Sequence, residues 1–584
     1  MTTAPTVILE SHSPGRDRAS YAFSGLVTEV TAIDAAGVIP ALERLETAIA
    51  QGYHAAGFVT YEAAAGLATE LPTRPSGEQP LVWFGIFRHR RTVTAGAFAR
   101  DAAAAATSHW SPSLAPGDYA DAIAAIRDQI AAGATYQVNF TLRHHFRLEG
   151  DPRAFYGDLC RTQLAPYCAY IDTGRYRILS ASPELFFRLE GDRITTRPMK
   201  GTATRGRWCA EDEAARDALR QSAKERAENL MIVDLLRNDL GMVAETGTVE
   251  AAPLFEVETL PTVHQMTSTV TARLKNGVAI PALFRALFPC GSVTGAPKRK
   301  TMELIAALED SPRGVYTGCI GYLSPGPEAV FSVAIRTAVI DAATGEGELG
   351  IGSGVTWDSR AGAEYAECLA KALFATTPRP EFQLIESLLW EEDAGYFLLD
   401  RHLARLAASA DYFAFPFDPA VARGLLAELG TTLVGCRKVR LLLARDGSLR
   451  LESAPIVAQP ATAPLAVAVA QTLVDSTDPF LYHKTTRRSR SMHELALRPD
   501  CADVIFCNER QEVTEGANNN VVVRIDGELV TPPLSCGLLP GTFREELLAT
   551  GAIREHVVLR QELAAAPELY LINSVRRWQR VRLV

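Results

Sequence analysis

The spacing of apolar residues along the chain predicts alternating strands and helices. Residues 81–87 are apolar almost without interruption, which is typical of a buried strand. Apolar residues at helical spacing from Tyr119 to Ile130 predict a helix that Gly133 ends. The Ala/Ser/Pro-rich stretch 101–116 predicts a loop. Further strands are predicted at 136–142, 177–180, 316–322, 330–340 and 382–389, and further helices at 223–240, at 364–374 and from Asp400.

A break in composition divides the chain into two modules. Its 584 residues are too many for one hydrophobic core. Residues 375–380 are small, polar and proline-rich, which makes them the best linker candidate in the sequence. We therefore predict a first domain over residues 1–375, a linker over 376–381 and a second domain over 382–584.

Composition and charge argue against several classes of protein. A hydrophobic content of 47% and a charged content of 22% are those of a soluble globular protein, and a net charge of −9 argues against nucleic-acid binding. The N-terminus lacks the basic flank and apolar run of a signal peptide, and no apolar run of about 18 residues could cross a membrane. The ten cysteines are scattered without a C-x-x-C pair, which favours a reducing compartment. We expect a cytoplasmic protein without nucleic-acid or membrane partners.

The candidate chemistry of the first module centres on Lys200. Pro198 fixes the backbone before it, and Gly201 leaves the backbone after it open to a ligand. A desolvated, nucleophilic lysine is one interpretation of this stretch. A surface lysine before a glycine turn is the other, and the fragment alone does not decide between them.

Two predicted helices carry pairs of carboxylates at the same spacing, Glu225 with Glu228 and Glu364 with Glu367. Residues three apart lie on one face of a helix. If the two faces meet, their four carboxylates can hold a hard divalent cation such as Mg²⁺. Solvated helix faces are the alternative.

Two glycine-rich stretches predict turns that bind anions. Residues 291–298 precede a helix predicted to begin near Lys300, where backbone N–H groups and hydroxyls form a concavity for an anion. This stretch does not match a P-loop, so a carboxylate fits it as well as a phosphate. Residues 350–354 are predicted as a second such turn before the Glu364 helix.

The order of these stretches resembles the chorismate-utilising enzymes, a family that includes anthranilate synthases, isochorismate synthases and aminodeoxychorismate synthase component I. The matching stretches are 198–202, 225–239, 291–298 and 364–371. The resemblance covers about residues 1–375. It implies an α+β fold in which a sandwich of two sheets encloses the site, with chorismate as substrate and Mg²⁺ as metal.

The same resemblance implies a role for each matching residue. Glu228 and Glu367 would bind magnesium directly, and Glu225 and Glu364 would bind it through water. His264 is expected close to the ring and its leaving group, and Glu184 matches the general acid of the isochorismate branch. The other residues expected to contact the substrate are Thr294, Gly295, Tyr316, Arg336, Gly352, Gly354 and Lys371.

Two positions separate the branches of this family. Gln137 stands where isochorismate and salicylate synthases have a lysine base, so addition of water is disfavoured. Lys200 stands where anthranilate synthases have alanine, and a lysine there is the mark of aminodeoxychorismate synthase. In that branch the lysine attacks ring position 2 and expels the 4-hydroxyl, and ammonia then attacks position 4 and releases the lysine. The reaction needs a neutral amine, so we expect the pKa of Lys200 to be lowered.

Ammonia for this reaction must have a source. The sequence shows no Gly-x-Cys-x-Gly nucleophile elbow, the motif expected of a glutaminase. We therefore expect ammonia from a separate glutaminase subunit or from free ammonium.

The second module contains the parts of a pyridoxal phosphate site. Lys484 offers an amine for the cofactor aldehyde, Glu515 a carboxylate for the pyridine nitrogen, and Arg405 a cation for the phosphate. The turn before Thr542 leads into a predicted helix N-terminus, which also suits a phosphate. Each of these groups alone is more often a surface residue.

Their order resembles the fold-type IV pyridoxal phosphate enzymes, which include branched-chain and D-amino-acid aminotransferases and aminodeoxychorismate lyase. The resemblance covers about residues 380–584 and implies phosphate contacts from the backbone of Thr542 and Phe543 and from Ser574. Phe543 departs from the family, because aminotransferases often have a threonine there, and the usual hairpin before the first strand is missing. The resemblance also suggests that two copies of the protein form a homodimer through this module.

Together the two resemblances imply synthesis of 4-aminobenzoate. The first module would aminate chorismate to 4-amino-4-deoxychorismate, and the second would eliminate pyruvate from it, with Lys484 removing the ring proton. The fusion favours this interpretation, because the product of one module is the substrate of the other. The alternatives are a synthase with an aminotransferase-like tail, an anthranilate synthase-like enzyme, and a second module that only binds or dimerises.

Residues 8–11 are similar to a stretch that lines a tryptophan pocket in the chorismate-utilising family. The interpretation preferred from the sequence is a plain edge strand.

Overall fold

The computed structural model describes residues 6–13, 19–377, 381–456 and 464–584. The chain divides into two compact units, Met1–Thr204 with Arg216–Arg379 and Arg205–Ala215 with Pro380–Val584. The first five residues and linker residues 378–380 lie outside the described part, so the boundaries drawn from the sequence stay predictions. Within the described residues, no helix has the length and apolarity needed to cross a membrane.

The strands that begin in the first unit are, in chain order, β1 Thr6–Glu10, β2 Tyr21–Ala32, β3 His54–Val59, β4 Val82–Thr92, β5 Ala105–Pro112, β6 Gln137–Gly150, β7 Tyr167–Asp172, β8 Tyr176–Ser182, β9 Leu185–Glu190, β10 Arg193–Arg197, β11 Met199–Thr204, β12 Glu250–Ala251, β13 Glu256–Thr259, β14 Val263–Thr267, β15 Val270–Arg273, β16 Gly295–Ala296, β17 Cys319–Ser324, β18 Glu328–Val333, β19 Thr337–Asp341 and β20 Glu346–Val355. The helices up to the end of this unit are α1 Val38–Ala50, α2 Ala64–Leu67, α3 Pro116–Ala131, α4 Pro152–Gln163, α5 Cys209–Gln221, α6 Ala223–Val243, α7 Ile280–Leu287, α8 Lys298–Leu308 and α9 Ala361–Thr376.

Most of these strands form one long antiparallel sheet that folds back on itself. The strands pair in the order β5, β6, β20, β19, β8, β7, β1, β2, β4, β3, β17, β18, β9, β10, β15, β12. Side chains from both halves, such as Ile171 and Ile178 on one and Phe58 and Trp83 on the other, pack into a shared core. The sheet is therefore a two-layer sandwich, as the sequence implied.

Helices cover the two outer faces of the sandwich. One outer core contains the apolar faces of α1, α6 and α7, and the other contains those of α3, α4 and α9. Local sequence fixes where these helices begin: the Ser222 hydroxyl accepts from the Glu225 N–H at 3.3 Å, and Asp151 caps α4 ahead of Pro152. The strands β11, β14 and β13 form a separate small sheet against α6.

The second unit has two sheets. Its strands are β21 Leu384–Glu391, β22 Gly395–Tyr396, β23 Arg437–Leu443, β24 Leu449–Pro455, β25 Leu465–Val469, β26 Asp503–Cys507, β27 Val513–Gly516, β28 Asn520–Ile525, β29 Glu528–Thr531, β30 Arg554–Glu555, β31 Leu569–Asn573 and β32 Arg577–Leu583. Its helices are α10 Leu399–Phe413, α11 Pro419–Gly430, α12 Ser489–Ala496, α13 Thr542–Ala549 and α14 Arg560–Ala565.

The smaller sheet has the order β22, β21, β23, β24 and packs on α10 and α11. In the larger sheet β27, β26, β25, β32, β31 and β28 pair in turn, and β28 pairs again with β27, so these strands close into a ring. The second module is thus an α+β unit, as predicted.

Several predictions about local structure were wrong. Residues 105–112, inside the predicted loop, form β5, because the long strand β6 offers it an unpaired edge. Residues 350–354 lie within β20 and form no turn. Residues 330–340 form two strands, separated at Arg336, whose φ is +53°. The preferred edge strand at 8–11 is also wrong, since β1 pairs with β2 on one side and β7 on the other.

Candidate active sites

Lys200 lies on β11 where that strand runs along α6. Asn229 of α6 donates to the Lys200 carbonyl at 3.1 Å. Gly201 has a φ of +95°, and a β-carbon there would lie 3.2 Å from a carboxylate oxygen of Glu225. Glycine adopts this conformation without strain and lets the strand approach the helix closely. The glycine therefore lets the backbone beside Lys200 pack closely against α6, the helix that carries Glu225 and Glu228.

The amine of Lys200 shares a space with the amide of Gln137. A β-carbon on Gly354 would lie 2.9 Å from Lys200 Nζ and 2.4 Å from Gln137 Nε2. Gln137 is 1% exposed, and neither polar atom of its amide has a hydrogen-bond partner within the described residues. Oε1 of the buried Glu184 also has no partner there. Buried polar atoms left unpaired by the protein point to a polar ligand or water.

The electrostatics of this space are those of an acid–base site. Burial and the positive charge of Lys371 lower the pKa of Lys200, and the carboxylates of Glu228 and Glu184 oppose this effect. Burial raises the pKa of Glu184 to about 7, against the Ser292 hydroxyl and the Lys200 charge. A lysine with a lowered pKa and a glutamic acid with a raised one can exchange protons with a substrate near neutral pH.

The four predicted carboxylates come from two helices whose charges act on each other. Burial raises the pKa of Glu228, and the negative charges of Glu225 and Glu364 raise it further. Lys371 pairs with Glu367 at 2.6 Å. Glu228 nevertheless keeps a raised pKa beside its cationic neighbours Lys200 and Lys224, and carboxylates gathered in this way fit a hard divalent cation with oxygen ligands.

Cationic and aromatic side chains line the β20 side of the site. A β-carbon on Gly350 would lie 2.1 Å from the Tyr316 ring, so the ring lies flat on the strand. Lys371 Nζ donates to the Gly352 carbonyl at 2.9 Å, and the Arg336 guanidinium donates to the Lys371 carbonyl. Burial lowers the pKa of Arg336 to about 10. A buried guanidinium and an ammonium at one edge suit a ligand with carboxylates.

Of the remaining predicted residues of this module, Thr294 and Gly295 lie beside the start of β6, which carries Gln137, and His264 lies opposite Ala203 of β11, the strand that carries Lys200. The Thr294 hydroxyl donates to the carbonyls of Cys290 and Gly291 at 3.3 Å. Gly295, with a φ of +135°, lets its backbone meet β6, where a β-carbon would lie 2.1 Å from the Gln137 carbonyl. The structure places His264 on β14, hydrogen bonded to Thr259 at 3.2 Å.

A buried ion pair that sequence reasoning missed holds these pieces together. Arg313 pairs with Glu309 at 2.7 Å, and both side chains are buried. The Arg313 guanidinium also donates to the Val293 and Asn139 carbonyls at 2.8 and 2.6 Å. It therefore joins the turn before Thr294 to the start of β6. The only signal in the sequence was an Arg four residues after a Glu, which is usually a solvated helical pair.

The stretch at residues 8–11 lines a second cavity of the first unit. Leu9 and Glu10 face a space of about 230 Å³ together with Tyr21, Cys168 and Tyr322. Residues of β1, of its sheet neighbours β2 and β7, and of β17 line this cavity.

In the second unit Lys484 follows a 3₁₀ turn at Pro479–Leu481 and runs beside β21. Its carbonyl accepts from the Ile385 N–H at 3.0 Å, which fixes its backbone to the sheet. Burial and the charge of Arg405 lower the pKa of Lys484 to about 8, against the charges of Glu386 and Glu515. A substantial fraction of neutral amine is therefore present near neutral pH, as an aldehyde-binding lysine requires.

Glu515 on β27 lies close to the helix-start turn. It accepts from the Leu539 N–H at 3.1 Å, and burial raises its pKa to about 7. A β-carbon on Gly541 would lie 1.9 Å from Asn520 Oδ1, so glycine is needed where the turn meets β28. The α13 helix begins at Thr542, with Phe543 packed on Phe397 at a ring distance of 5.8 Å.

Arg405 is held by a buried network that the sequence did not reveal. Its guanidinium donates to both carboxylate oxygens of Glu386, at 2.9 and 2.7 Å, and to the Pro540 carbonyl at 2.8 Å. Glu386 also contacts His402 Nδ1 at 2.6 Å, and His402 Nε2 contacts the Thr542 hydroxyl at 3.2 Å. The chain thus ties the cation to the start of α13. Glu386 was detectable only as a charged residue inside an apolar strand.

Basic side chains of β23, of the segment after Lys484 and of the turn before β32 act on one another. Partial burial and the positive charges of Arg440, Arg488 and Arg576 lower the pKa of Lys438. The charge of Arg488 also acts on Lys484. Ser574, the last predicted phosphate contact, donates to the Ser387 carbonyl of β21 at 3.3 Å.

Comparisons with known proteins agree with this division. Residues 5–377 match the family described as chorismate binding enzyme, and residues 383–584 match amino-transferase class IV. An aminodeoxychorismate synthase of Streptomyces griseus is 46% identical over 44% of this chain and 35% of its own length. Aminodeoxychorismate synthase component 1 of Salmonella typhimurium is 41% identical over 45% of this chain and 58% of its own length. The chain thus spans less than two thirds of the curated relatives it matches.

A solved structure supports the fold of the first module. Anthranilate synthase component I of Streptococcus pneumoniae superposes with a TM-score of 0.54 and 26% identity, covering 62% of this chain and 93% of that one. A class IV amino-transferase module implies pyridoxal phosphate as its cofactor. The chain belongs to the chorismate binding enzymes and carries a class IV amino-transferase module behind the chorismate-binding one.

Proposed function

We propose that this protein converts chorismate and ammonia into 4-aminobenzoate and pyruvate in two steps, one in each module. The observation that carries the proposal is Lys200, a lysine with a lowered pKa that faces Gln137, Glu184 and two carboxylate helices. A nucleophilic lysine at this position distinguishes the amination of ring position 4 from the chemistry of anthranilate synthases. The relatives named aminodeoxychorismate synthase support the same choice.

In the first step, neutral Lys200 forms a bond to ring position 2 of chorismate while the bond to the 4-hydroxyl breaks. Glu184, protonated because burial raises its pKa to about 7, gives a proton to the leaving hydroxyl, which departs as water. Ammonia then bonds to position 4 while the bond to Lys200 breaks, so Lys200 leaves as a neutral amine and the new ammonium group at position 4 loses a proton to Glu184. Each step conserves atoms and charge without a redox partner.

The groups around Lys200 have separate tasks in this proposal. Lys371 and Arg336 hold carboxylates of the substrate, and the Gln137 amide, whose polar atoms lack protein partners, orients ammonia or the ring hydroxyl. Glu225, Glu228, Glu364 and Glu367 would hold Mg²⁺, which supplies positive charge for a substrate carboxylate. The raised pKa of Glu228 among like charges supports a cation at this place.

Ammonia comes from a partner or from solution. The chorismate-utilising family pairs with a glutamine amidotransferase subunit, so we propose such a subunit as the source. The protein itself requires only ammonium in the assay below.

In the second module Lys484, Glu515, Arg405 and the backbone at Thr542 would hold pyridoxal phosphate. The bound cofactor supplies an electron-accepting ring next to the substrate amine. Lys484, with a pKa lowered to about 8, removes the proton from the ring carbon that bears the amine. The bond from the neighbouring ring carbon to the enolpyruvyl oxygen then breaks, and the leaving group takes up the proton and departs as pyruvate. Glu515 offers its proton to the pyridine nitrogen, because burial holds its pKa near 7.

The cations beside Lys484 favour the lyase over an aminotransferase-like tail. The intermediate carries two carboxylates, and Arg488, whose charge acts on Lys484, also acts on Lys438, as do Arg440, which is paired with Glu452, and Arg576. Charged donors of this kind recognise carboxylates strongly. A single-carboxylate amino acid would need fewer of them.

One assay tests the whole proposal. Purified protein loaded with pyridoxal phosphate is given chorismate, Mg²⁺ and ammonium, and the products are separated by chromatography. We expect 4-aminobenzoate and pyruvate in equal amounts. Accumulation of 4-amino-4-deoxychorismate alone would leave only the synthase, and anthranilate as the main product would overturn the assignment of the first module.

A further inference from the structure

Three side chains of types that can bind metals meet at the end of β1, beside the second cavity of the first unit. They are His12, which follows β1, Cys160 on α4 and Cys168 on β7. A ring nitrogen of His12 and the two sulfur atoms lie within 4.8 Å of one another. Both cysteines are buried, whereas the His12 side chain is 14% exposed. The cluster is thus enclosed by protein, and solvent reaches it at the His12 imidazole.

Backbone pairing brings these residues together. The His12 N–H donates to the Ala165 carbonyl at 2.9 Å, and the Cys168 thiol donates to the same carbonyl at 3.5 Å. Glu10 on β1 lies opposite Cys168 on β7 in the strand register. The positions of His12 and Cys168 are therefore set by the sheet, and only Cys160 reaches in from a helix.

A carboxylate orients the imidazole from behind. Glu10 Oε2 lies 3.1 Å from His12 Nε2 and accepts from the Tyr156 hydroxyl at 3.0 Å. Glu10 Oε1 accepts from the Gly96 N–H at 3.0 Å, so the carboxylate is itself fixed. Histidines that bind metals usually have such a carboxylate on their other ring nitrogen, which fixes the tautomer and the ring plane.

We propose that His12, Cys160 and Cys168 form a binding site for a thiophilic divalent cation of the zinc class. Zinc bonds are about 2.3 Å long to sulfur and about 2.0 Å long to nitrogen, so the ligand atoms of one zinc ion lie closer together than 4.8 Å, the upper limit of their separations here. Small side-chain rotations bring the three atoms to these shorter separations. Three protein ligands leave a fourth position. Cys168 and Glu10 also line the cavity of about 230 Å³, so the site lies at the wall of this cavity.

The ligand set separates this site from the carboxylate helices. Two sulfurs and an imidazole select zinc or a similar soft ion, whereas four carboxylates select magnesium. Binding replaces the protons of the two thiols and of the imidazole, so the affinity rises with pH. A bound ion would join β1, α4 and β7 at one end of the cavity.

Cobalt is the probe for this proposal, because its colour reports the ligands. The reduced full-length protein, saturated with Mg²⁺ and pyridoxal phosphate, is titrated with Co²⁺. We expect stoichiometric uptake with the intense visible bands of tetrahedral cobalt bound to thiolate, and displacement of the colour by Zn²⁺. Cobalt on the carboxylates would give only the weak spectrum of an octahedral oxygen site.

Variants assign the colour to these residues. Cys160→Ser and Cys168→Ser should each abolish the thiolate bands, whereas Cys507→Ala, which removes a buried thiol of the second unit, should keep them. His12→Gln, at the most accessible of the three ligands, should fold normally and weaken Co²⁺ binding at least about 10-fold, since loss of a ligand or of a group that orients one has effects of that size. The proposal fails if the parent shows no thiolate bands under reducing conditions, if the bands survive all three ligand variants, or if the two cysteines form a disulfide that excludes the ion.

Discussion

The side-chain nitrogen of Lys200 lies 2.9 Å from the point where Gly354 would carry a β-carbon. The Gln137 amide nitrogen lies 2.4 Å from the same point. Both side chains fit there because residue 354 is a glycine and has no side chain of its own. Gly354 sits within β20, next to the strand that carries Gln137. The glycine therefore shapes the space in which we place the reacting end of the substrate.

Gly354→Ala should reduce the synthase step strongly while the protein stays folded. The added methyl group meets only the flexible ends of Lys200 and Gln137, so the fold can accommodate it and the two side chains must move. A displacement of about 1 Å from productive geometry costs about 10²-fold in rate. Steady-state formation of 4-amino-4-deoxychorismate measures the effect.

Gly362→Ala is the matched control, because a β-carbon there would meet nothing within 4 Å. It should retain the parent rate. Gly354→Ala protein with parent-like synthase activity would mean that Lys200 does not react where we place it.

The sequence predicted the two modules and most of the long elements because apolar periodicity is a local property. The helices around Glu225 and Glu364 and the strands at 136–142 and 177–180 are present close to the expected positions. The strand at 105–112 was missed, since its pattern is short and polar and only the edge of β6 makes it a strand. Such tertiary pairing is invisible in single-sequence propensity.

The site residues divide in the same way. Groups within motifs, such as Lys200, Glu228 and Lys484, could be named from the sequence. The groups that position them could not, because Arg313 and Glu386 act through contacts with segments far away in the chain. In a single sequence a buried arginine cannot be distinguished from a solvated one, because its partners are not known.

Lys200→Ala should abolish amination of chorismate, and Lys200→Arg should abolish it too. The arginine keeps the positive charge but stays protonated and cannot attack the ring. If Lys200 acted only through its charge, Lys200→Arg would retain much of the rate. Rates with ammonium as nitrogen donor, measured with the second module intact, decide between the two roles.

Lys275→Ala serves as the control for these variants. Lys275 is exposed and donates to the Met242 carbonyl at 2.9 Å. It should leave amination unchanged. Because burial lowers the pKa of Lys200, the rate in the parent should rise with pH on the acid side as the amine becomes neutral.

Glu184→Gln should slow the synthase step and stabilise the first unit at alkaline pH. Loss of a general acid costs about 10²- to 10⁴-fold in rate. The folded-state pKa of Glu184 is about 7, above its ordinary value of 4.5, so the folded state binds more protons between those values. Protonation of Glu184 therefore favours the folded state by up to about 3 kcal/mol, and this stabilisation is lost as the pH rises from about 4.5 through about 7.

Thermal unfolding at pH about 5 and about 8 checks the sign of this effect. The variant should match the parent at the lower pH and melt at a higher temperature at the upper one. Glu43→Gln, at an exposed position of α1, should show neither the kinetic nor the thermal change. An unchanged alkaline stability would contradict the burial argument.

Glu228→Gln and Glu367→Gln should each weaken the response to Mg²⁺. A cation that binds only the folded protein raises its melting temperature, and the carboxylates of both helices are needed to bind it. We expect Mg²⁺ to stabilise the parent, and chelation by EDTA to stop amination without affecting pyruvate release from added intermediate. Glu245→Gln, just beyond α6, should behave like the parent. Full activity in EDTA would argue against the metal.

Lys484→Ala should separate the two steps most directly. The variant keeps Lys200 and the four carboxylates, so it should convert chorismate to 4-amino-4-deoxychorismate at the parent rate. It lacks the amine on which the charges of Arg405, Glu386 and Glu515 act, and the neighbouring arginines remain protonated and cannot replace it. It should therefore release neither pyruvate nor 4-aminobenzoate.

Lys438→Ala is the informative comparison, because it removes a cation of the same region. It should raise the concentration of intermediate needed for pyruvate release and keep the cofactor's visible absorbance after gel filtration. Lys484→Ala should lose that absorbance. Parent-like 4-aminobenzoate formation by Lys484→Ala would show that the second module is not the lyase.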